Sequence, residues 1–155
     1  MGSMRKGIGH LSGFLRQPEP NVLLFGFLLT LPWELLQVPF FAGMPSIAHW
    51  DGVIQCVTAA AGDAVILLAA FWATACLWRA RMWITQPSLN ATVAFVAMGI
   101  AVTIALEWWA TGDSGRWTYA KTMPTIPGLG TGVLPLLQWL LIPPLVVWLV
   151  RRQIR

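Results

Sequence analysis

Four stretches of the chain are apolar for about twenty residues each, and polar or charged clusters separate them. They cover residues 21–41, 53–78, 91–111 and 134–150. The connections are 42–52, 79–90 and 112–133, the last of them long and rich in Gly, Pro and Thr. Runs of this length and composition predict membrane-spanning helices. The expected fold is an all-α integral membrane protein, a four-helix transmembrane bundle forming one domain over residues 1–155.

Polar residues inside these runs fall at helical spacing. Residues four apart share a helix face, so Gly26, Thr30 and Glu34 form one stripe and Gln37 continues it. Gly99, Thr103 and Glu107 form the same stripe in the third run. Gln55, Ala59 and Asp63 line up in the second, and Gln138 sits one turn inside the fourth. The first and third stripes match residue for residue at a constant offset. Each glutamate has a tryptophan neighbour, Trp33 or Trp108. A tandem repeat of two helical hairpins produces such a match.

A rise of about 1.5 Å per residue sets the depths. Glu34 lies about 10 Å inside its outer helix end, Glu107 and Gln138 about 6 Å, and Asp63 about 15 Å. All four fall in the outer half of the bilayer. With these faces inward, they predict a polar pocket open toward the outer leaflet or outer water.

Composition supports the membrane reading. The chain is 57% hydrophobic and 10% charged, with mean hydropathy +0.66, against about 25% charged in ordinary soluble domains. The net charge of +4 is clustered. Arg5, Lys6, Arg16, Arg79, Arg81, Arg151, Arg152 and Arg155 fall on one side of the predicted topology, and Arg116 and Lys121 on the other. The excess marks the cytoplasmic side, so both termini are expected there, in a bacterial inner membrane. Trp78, Trp83 and Trp148 fit an inner aromatic belt, and Trp50, Trp108, Trp109 and Trp117 an outer one. No nucleic-acid motif is present, and none is expected as a partner.

The candidate chemistry follows from three acids without an intramembrane Lys or Arg. Glu34, Asp63 and Glu107 are expected to hold at least one proton between them near neutral pH. A neutral carboxyl acid in a dry, Trp-lined site can protonate an alkene while a second carboxylate takes a proton away. Glu34, Glu107 and Asp63 are the candidate catalytic residues. Thr30, Trp33, Gln37, Thr103, Trp108, Arg116, Trp117, Tyr119, Gln138 and Trp139 are the candidate substrate-binding set. Trp33, Trp108 and Trp139 offer ring faces to a carbocation. Arg116, Trp117 and Tyr119 are placed to form a lid, with Arg116 near the mouth.

Two other readings stand beside this one. The acids can serve as helix–helix glue in an accessory subunit of a membrane complex or in a homo-oligomer. They can also carry protons in a small transporter. No cofactor or metal is expected. His10 and His49 are loop residues, and His49 with Asp51 is a weak metal pair. Cys56 and Cys76 are too far apart along one helix for a disulfide and are expected to pack as small apolar residues. Pro32, Pro39, Pro143 and Pro144 are expected to kink helices or bow the first around a cavity.

The segment Trp117-x-Tyr119, a Gly-rich turn, then Pro135 leading a helix with Gln138 resembles membrane carotenoid cyclases and hydratases. In those, a W-x-Y segment precedes a proline-led helix bearing an acid; here Gln138 stands at the acid's place. The general plan of acids and tryptophans in a small bundle is similar to the emopamil-binding, sigma-2 type of sterol isomerase and receptor. These resemblances imply an isoprenoid or sterol-like lipid as the hydrophobic small molecule bound, with membrane lipids around it.

Overall fold

The structure is a computed structural model that describes residue 13, residues 16–112 and residues 114–155. Arg5, Lys6 and His10 lie outside the described residues. Four long helices follow one another: α1 (Pro18–Gln37), α2 (His49–Trp78), α3 (Leu89–Thr111) and α4 (Val133–Ile154). All four are long and apolar enough to cross a membrane, and the chain is an all-α integral membrane bundle. The described residues contain no strand beyond two isolated bridges.

Local chemistry sets the helix ends. Pro18 opens α1, where its missing N–H costs nothing, and Asn21 Nδ2 donates to the Gln17 carbonyl at 2.7 Å. A 3-10 turn over Val38–Phe40 containing Pro39 closes α1. That ends the helix at Gln37, short of the expected 41. The second helix instead begins four residues earlier than expected, at His49. It ends on Arg79 in the left-handed conformation at φ 50°. Arg79 N–H donates to Cys76 O at 3.2 Å and Ala80 N–H to Ala75 O at 3.0 Å, a Schellman closure with arginine in the usual glycine place. Ser88 caps α3 by accepting the Ala91 N–H at 3.2 Å. α4 continues through Pro143 and Pro144 to Ile154.

Each helix packs on two others in a ring: α1 on α2, α2 on α3, α3 on α4 and α4 on α1. The diagonal pairs face each other across the axis. Equivalent glycines make equivalent contacts in the two hairpins. Gly26 of α1 lies against α2, where an added Cβ would meet Leu67 Cδ1 at 2.8 Å and Ala64 Cα at 3.5 Å. Gly99 of α3 lies under the Trp139 ring of α4, which leaves no room for a Cβ. Thr30 and Thr103 are both buried one turn further along.

The end that carries the α1 start and the α4 end, the inner end of the expected topology, is closed by aromatic packing. Trp83, expected in the inner belt, is only 5% exposed. Its ring stacks on Phe71 at 5.9 Å and meets Phe95 edge-on at 5.5 Å, while Nε1 donates to the Phe71 carbonyl at 3.3 Å. The 3-10 turn over Trp83–Thr85 folds the indole inward, so it plugs the bundle instead of facing headgroups. Trp78 and Trp148 stay exposed, and Arg152 lies over the Trp148 ring at 5.5 Å. Arg81 ties the same end to α1, with Nε 2.7 Å and Nη2 3.0 Å from the two Glu19 oxygens.

The opposite end, the outer end of the expected topology, is closed by the 112–132 connection. Ala42 N–H donates to Thr118 O at 2.8 Å and Ala120 N–H to Phe40 O at 2.9 Å, pairing this connection with the one after α1. Its tip doubles back through Gly128 and Gly130, both at positive φ, and Val133 N–H donates to Pro124 O at 2.8 Å. The loop is a folded cap, as its Gly and Pro content suggests.

Candidate functional site

One polar side chain from each helix reaches the axis at the outer end. Glu34 comes from α1, Asp63 from α2, Glu107 from α3 and Gln138 from α4. The amide Nε2 of Gln138 hydrogen-bonds Asp63 Oδ2 across the α2–α4 diagonal. Gln37, Asp63 and Gln138 surround the Glu34 carboxyl, with Glu107 across the other diagonal. Among the described residues, no Lys or Arg interacts with any of the three acids.

The three acids differ in setting. Glu107 is buried, at 8% exposure, under the outer cap. It accepts hydrogen bonds from Trp117 Nε1 at 3.2 Å and from the Tyr119 hydroxyl. Both bonds end on one oxygen, Oε2, so the cap holds Glu107 from one side. Glu34 and Asp63 are partly exposed. Two carboxyls can hydrogen-bond only if one carries a proton. The site therefore sets two neighbouring acids, Glu34 and Asp63, beside a third, Glu107, that accepts from the cap.

Tyr119 organises the cap over this site. Its oxygen accepts the Gly132 N–H at 2.9 Å, and its ring lies 5.6 Å from that of Phe41. Burial first, and the Glu107 contact second, push the phenol above its ordinary value. Gly132 permits this approach: a Cβ there would sit 3.2 Å from Tyr119 Cζ and 3.1 Å from Met123 sulfur.

The other expected residues fall in several places. Thr30 is buried, and its hydroxyl lies 2.9 Å from Gly26 O and 3.3 Å from Ala60 O, so it joins α1 to α2 below the acids. Thr103 is buried on the matching face of α3. Gln37 and Trp33 flank Glu34 on α1. Trp139 is 4% exposed and packs on Gly99. Thr30, Leu67, Gln138, Trp139, Ile142 and Pro143 line a narrow crevice of about 130 Å³ just inward of the acids. Trp117, expected in the outer belt, is instead half-buried against Glu107.

Two expected residues are not brought to the cluster. Trp108 is 66% exposed, because one residue along a helix turns about 100° away from Glu107. The Arg116 guanidinium lies 5.7 Å from the Trp109 ring centre and points outward. Cys56 is a neighbour the sequence reading passed over. It is buried and electrostatically close to Glu34, two turns from Asp63 on the same α2 face. Its spacing from Asp63 was the available signal. Among the described residues, no group of three or more His, Cys, Asp or Glu side chains is arranged to hold a metal ion.

Fold and site together define a small polytopic membrane protein with a carboxyl cluster on its axis. Comparison of the chain with protein-family models, curated proteins and solved structures returned no match.

Proposed function

We propose that this protein is an intramembrane acid/base catalyst that moves a proton on a hydrophobic isoprenoid or sterol-like lipid, as an isomerase, cyclase or hydratase does. The observation that carries this reading is the convergence of Glu34, Asp63 and Glu107 at one level, with Gln138 and without a cation. Helices can be joined by hydroxyls and amides, whereas carboxyls at membrane depth are expensive and need a further reason.

The roles follow from the hydrogen bonds. The Glu34–Asp63 couple donates a proton to an alkene carbon. Glu107 removes one from a neighbouring carbon, and the double bond moves. In this isomerisation one proton enters and one leaves, so the step needs no oxidant, reductant or co-reactant; a hydration at the same site would add one water. The Trp33 ring, next to Glu34, offers a face to the transient cation. The crevice below the acids has no room for even a water-sized sphere, far short of the roughly 300 Å³ at which small-molecule pockets begin. A lipid substrate would therefore enter sideways from the bilayer and bring only its reacting end to the carboxyls.

We also place both termini in the cytoplasm of a bacterial inner membrane, on the strength of the cation asymmetry. The site then opens toward the outer leaflet.

Solvent extraction and mass spectrometry of the purified protein test the functional reading. A stoichiometric isoprenoid or sterol is expected, and its unconverted form should accumulate on Glu34→Gln and Glu107→Gln proteins. A protein free of such lipid that retains a partner through mild detergent would favour an assembly subunit instead.

A further inference from the structure

Two buried polar atoms on one face of α1 lack a hydrogen-bond partner, the Trp33 indole Nε1 and the Gln37 amide Oε1. Gln37 is 6% exposed, and the Trp33 ring packs on the hydrophobic core. Neither atom is turned to solvent. The residues are four apart, so their side chains lie one above the other, with Cβ atoms about 5–6 Å apart.

The two atoms are complementary. Nε1 is a donor without an acceptor, and Oε1 an acceptor without a donor. Turning the Gln37 amide over does not help. Its NH2 group lies toward the Glu34 carboxyl, and a flip would leave two donors, that NH2 and Trp33 Nε1, unmet on this face. A hydroxyl both accepts and donates. An N–H···O–H···O chain uses two bonds of about 2.8–3.0 Å.

We propose that Trp33 and Gln37 form a hydroxyl anchor, and that the ligand of this site is a hydrophobic alcohol. Its oxygen accepts from Trp33 Nε1 and its proton goes to Gln37 Oε1. This names the substrate class of the acid/base site and rests on that reading for what happens after binding. Held there, the alcohol places its neighbouring carbons beside Glu34 and Asp63. An ether or ketone can accept from Trp33 but leaves Gln37 unmet, and a hydrocarbon meets neither. Water offers the same donor and acceptor, and the test separates the two.

The test is binding of three probes to the purified protein in detergent: a short isoprenoid alcohol, its methyl ether and the parent hydrocarbon. The alcohol should bind about tenfold or more tighter than the other two, since each leaves a buried polar atom unpaired. Trp33→Phe keeps the ring and removes the donor. Gln37→Leu removes the acceptor. Gln37→Leu should bring the alcohol down to the affinity of the ether, with ether binding changed less than about twofold. Trp33→Phe should weaken the alcohol and the ether together, toward the hydrocarbon, because both accept from Nε1. If Gln37→Leu does not fold, that joint loss in Trp33→Phe decides. Equal affinity for all three probes in the unaltered protein would overturn the anchor, as a resident water predicts. So would an alcohol preference over the ether that survives Gln37→Leu, or alcohol and ether binding that Trp33→Phe leaves unchanged. Proton transfer is read separately: Glu34→Gln should abolish it and keep the alcohol preference. An alcohol preference without any proton transfer in the unaltered protein would sink the catalytic reading and leave the anchor standing.

Discussion

The phenol of Tyr119 donates to the Glu107 carboxyl and accepts the Gly132 N–H, so one side chain ties the outer cap to the acid of α3. Tyr119→Phe removes both bonds and leaves buried polar groups unpaired. A loss of about 1–3 kcal/mol in unfolding free energy is expected, with faster proteolysis of the 112–132 connection. Unchanged stability and unchanged proteolysis would show that the cap is held elsewhere.

Tyr119 also sets a pH dependence. Its phenol is held above its ordinary value in the folded protein, by burial and by Glu107. The fold keeps this proton where the unfolded chain releases it. Stability is then full below about pH 10, the ordinary phenol value, and declines as pH rises from there. The chain has one tyrosine, so a phenolate absorbance titration reads this group alone. An ordinary titration midpoint in the folded protein would contradict the burial of Tyr119.

The two stripe glycines should differ in tolerance. A methyl on Gly26 meets the flexible end of Leu67, whereas one on Gly99 runs into the Trp139 ring. Overpacking costs about 1–3 kcal/mol and more where nothing can yield. Gly99→Ala is expected at or beyond the upper end and Gly26→Ala at the lower. Thermal unfolding of both proteins in one detergent checks the order, and the reverse order would argue against the α3–α4 packing.

The carboxyl cluster predicts a spectroscopic signature. In the proposed mechanism Glu34 and Asp63 share a proton, while Glu107 accepts two hydrogen bonds through Oε2. Infrared spectra at neutral pH should contain a protonated-carboxyl C=O band that Glu34→Gln or Asp63→Asn removes and Glu107→Gln does not. A band that disappears only with Glu107→Gln would reverse the two roles.

How much of this was legible in the sequence depends on range. The four spans follow from composition, and the Gly-Thr-Glu stripes follow from helical spacing, so the faces of α1 and α3 could be drawn in advance. Rise per residue also gave Glu34, Asp63, Glu107 and Gln138 similar expected depths, and the structure brings these four toward the axis at one end of the bundle. The cap contacts were not. Tyr119 and Trp117 reach Glu107 only because backbone around Phe41 pairs with backbone around Tyr119, and no local pattern encodes that pairing. Trp83 was misplaced for a similar reason, since its inward turn depends on Phe71 and Phe95 of other helices. Trp108 could have been placed correctly, because helical phase alone turns it away from Glu107.

Transfer of solvent deuterium to a substrate carbon tests the central claim most directly. The purified protein is incubated in heavy water with an isoprenoid or sterol alkene, and the lipid is recovered for mass spectrometry. Stable carbon-bound deuterium should accumulate with the unaltered protein and fall at least about a hundredfold with Glu34→Gln or Glu107→Gln, as expected for loss of a general acid or base. Incorporation that is absent from the unaltered protein across these alkenes, or that persists in both variants, would contradict the account.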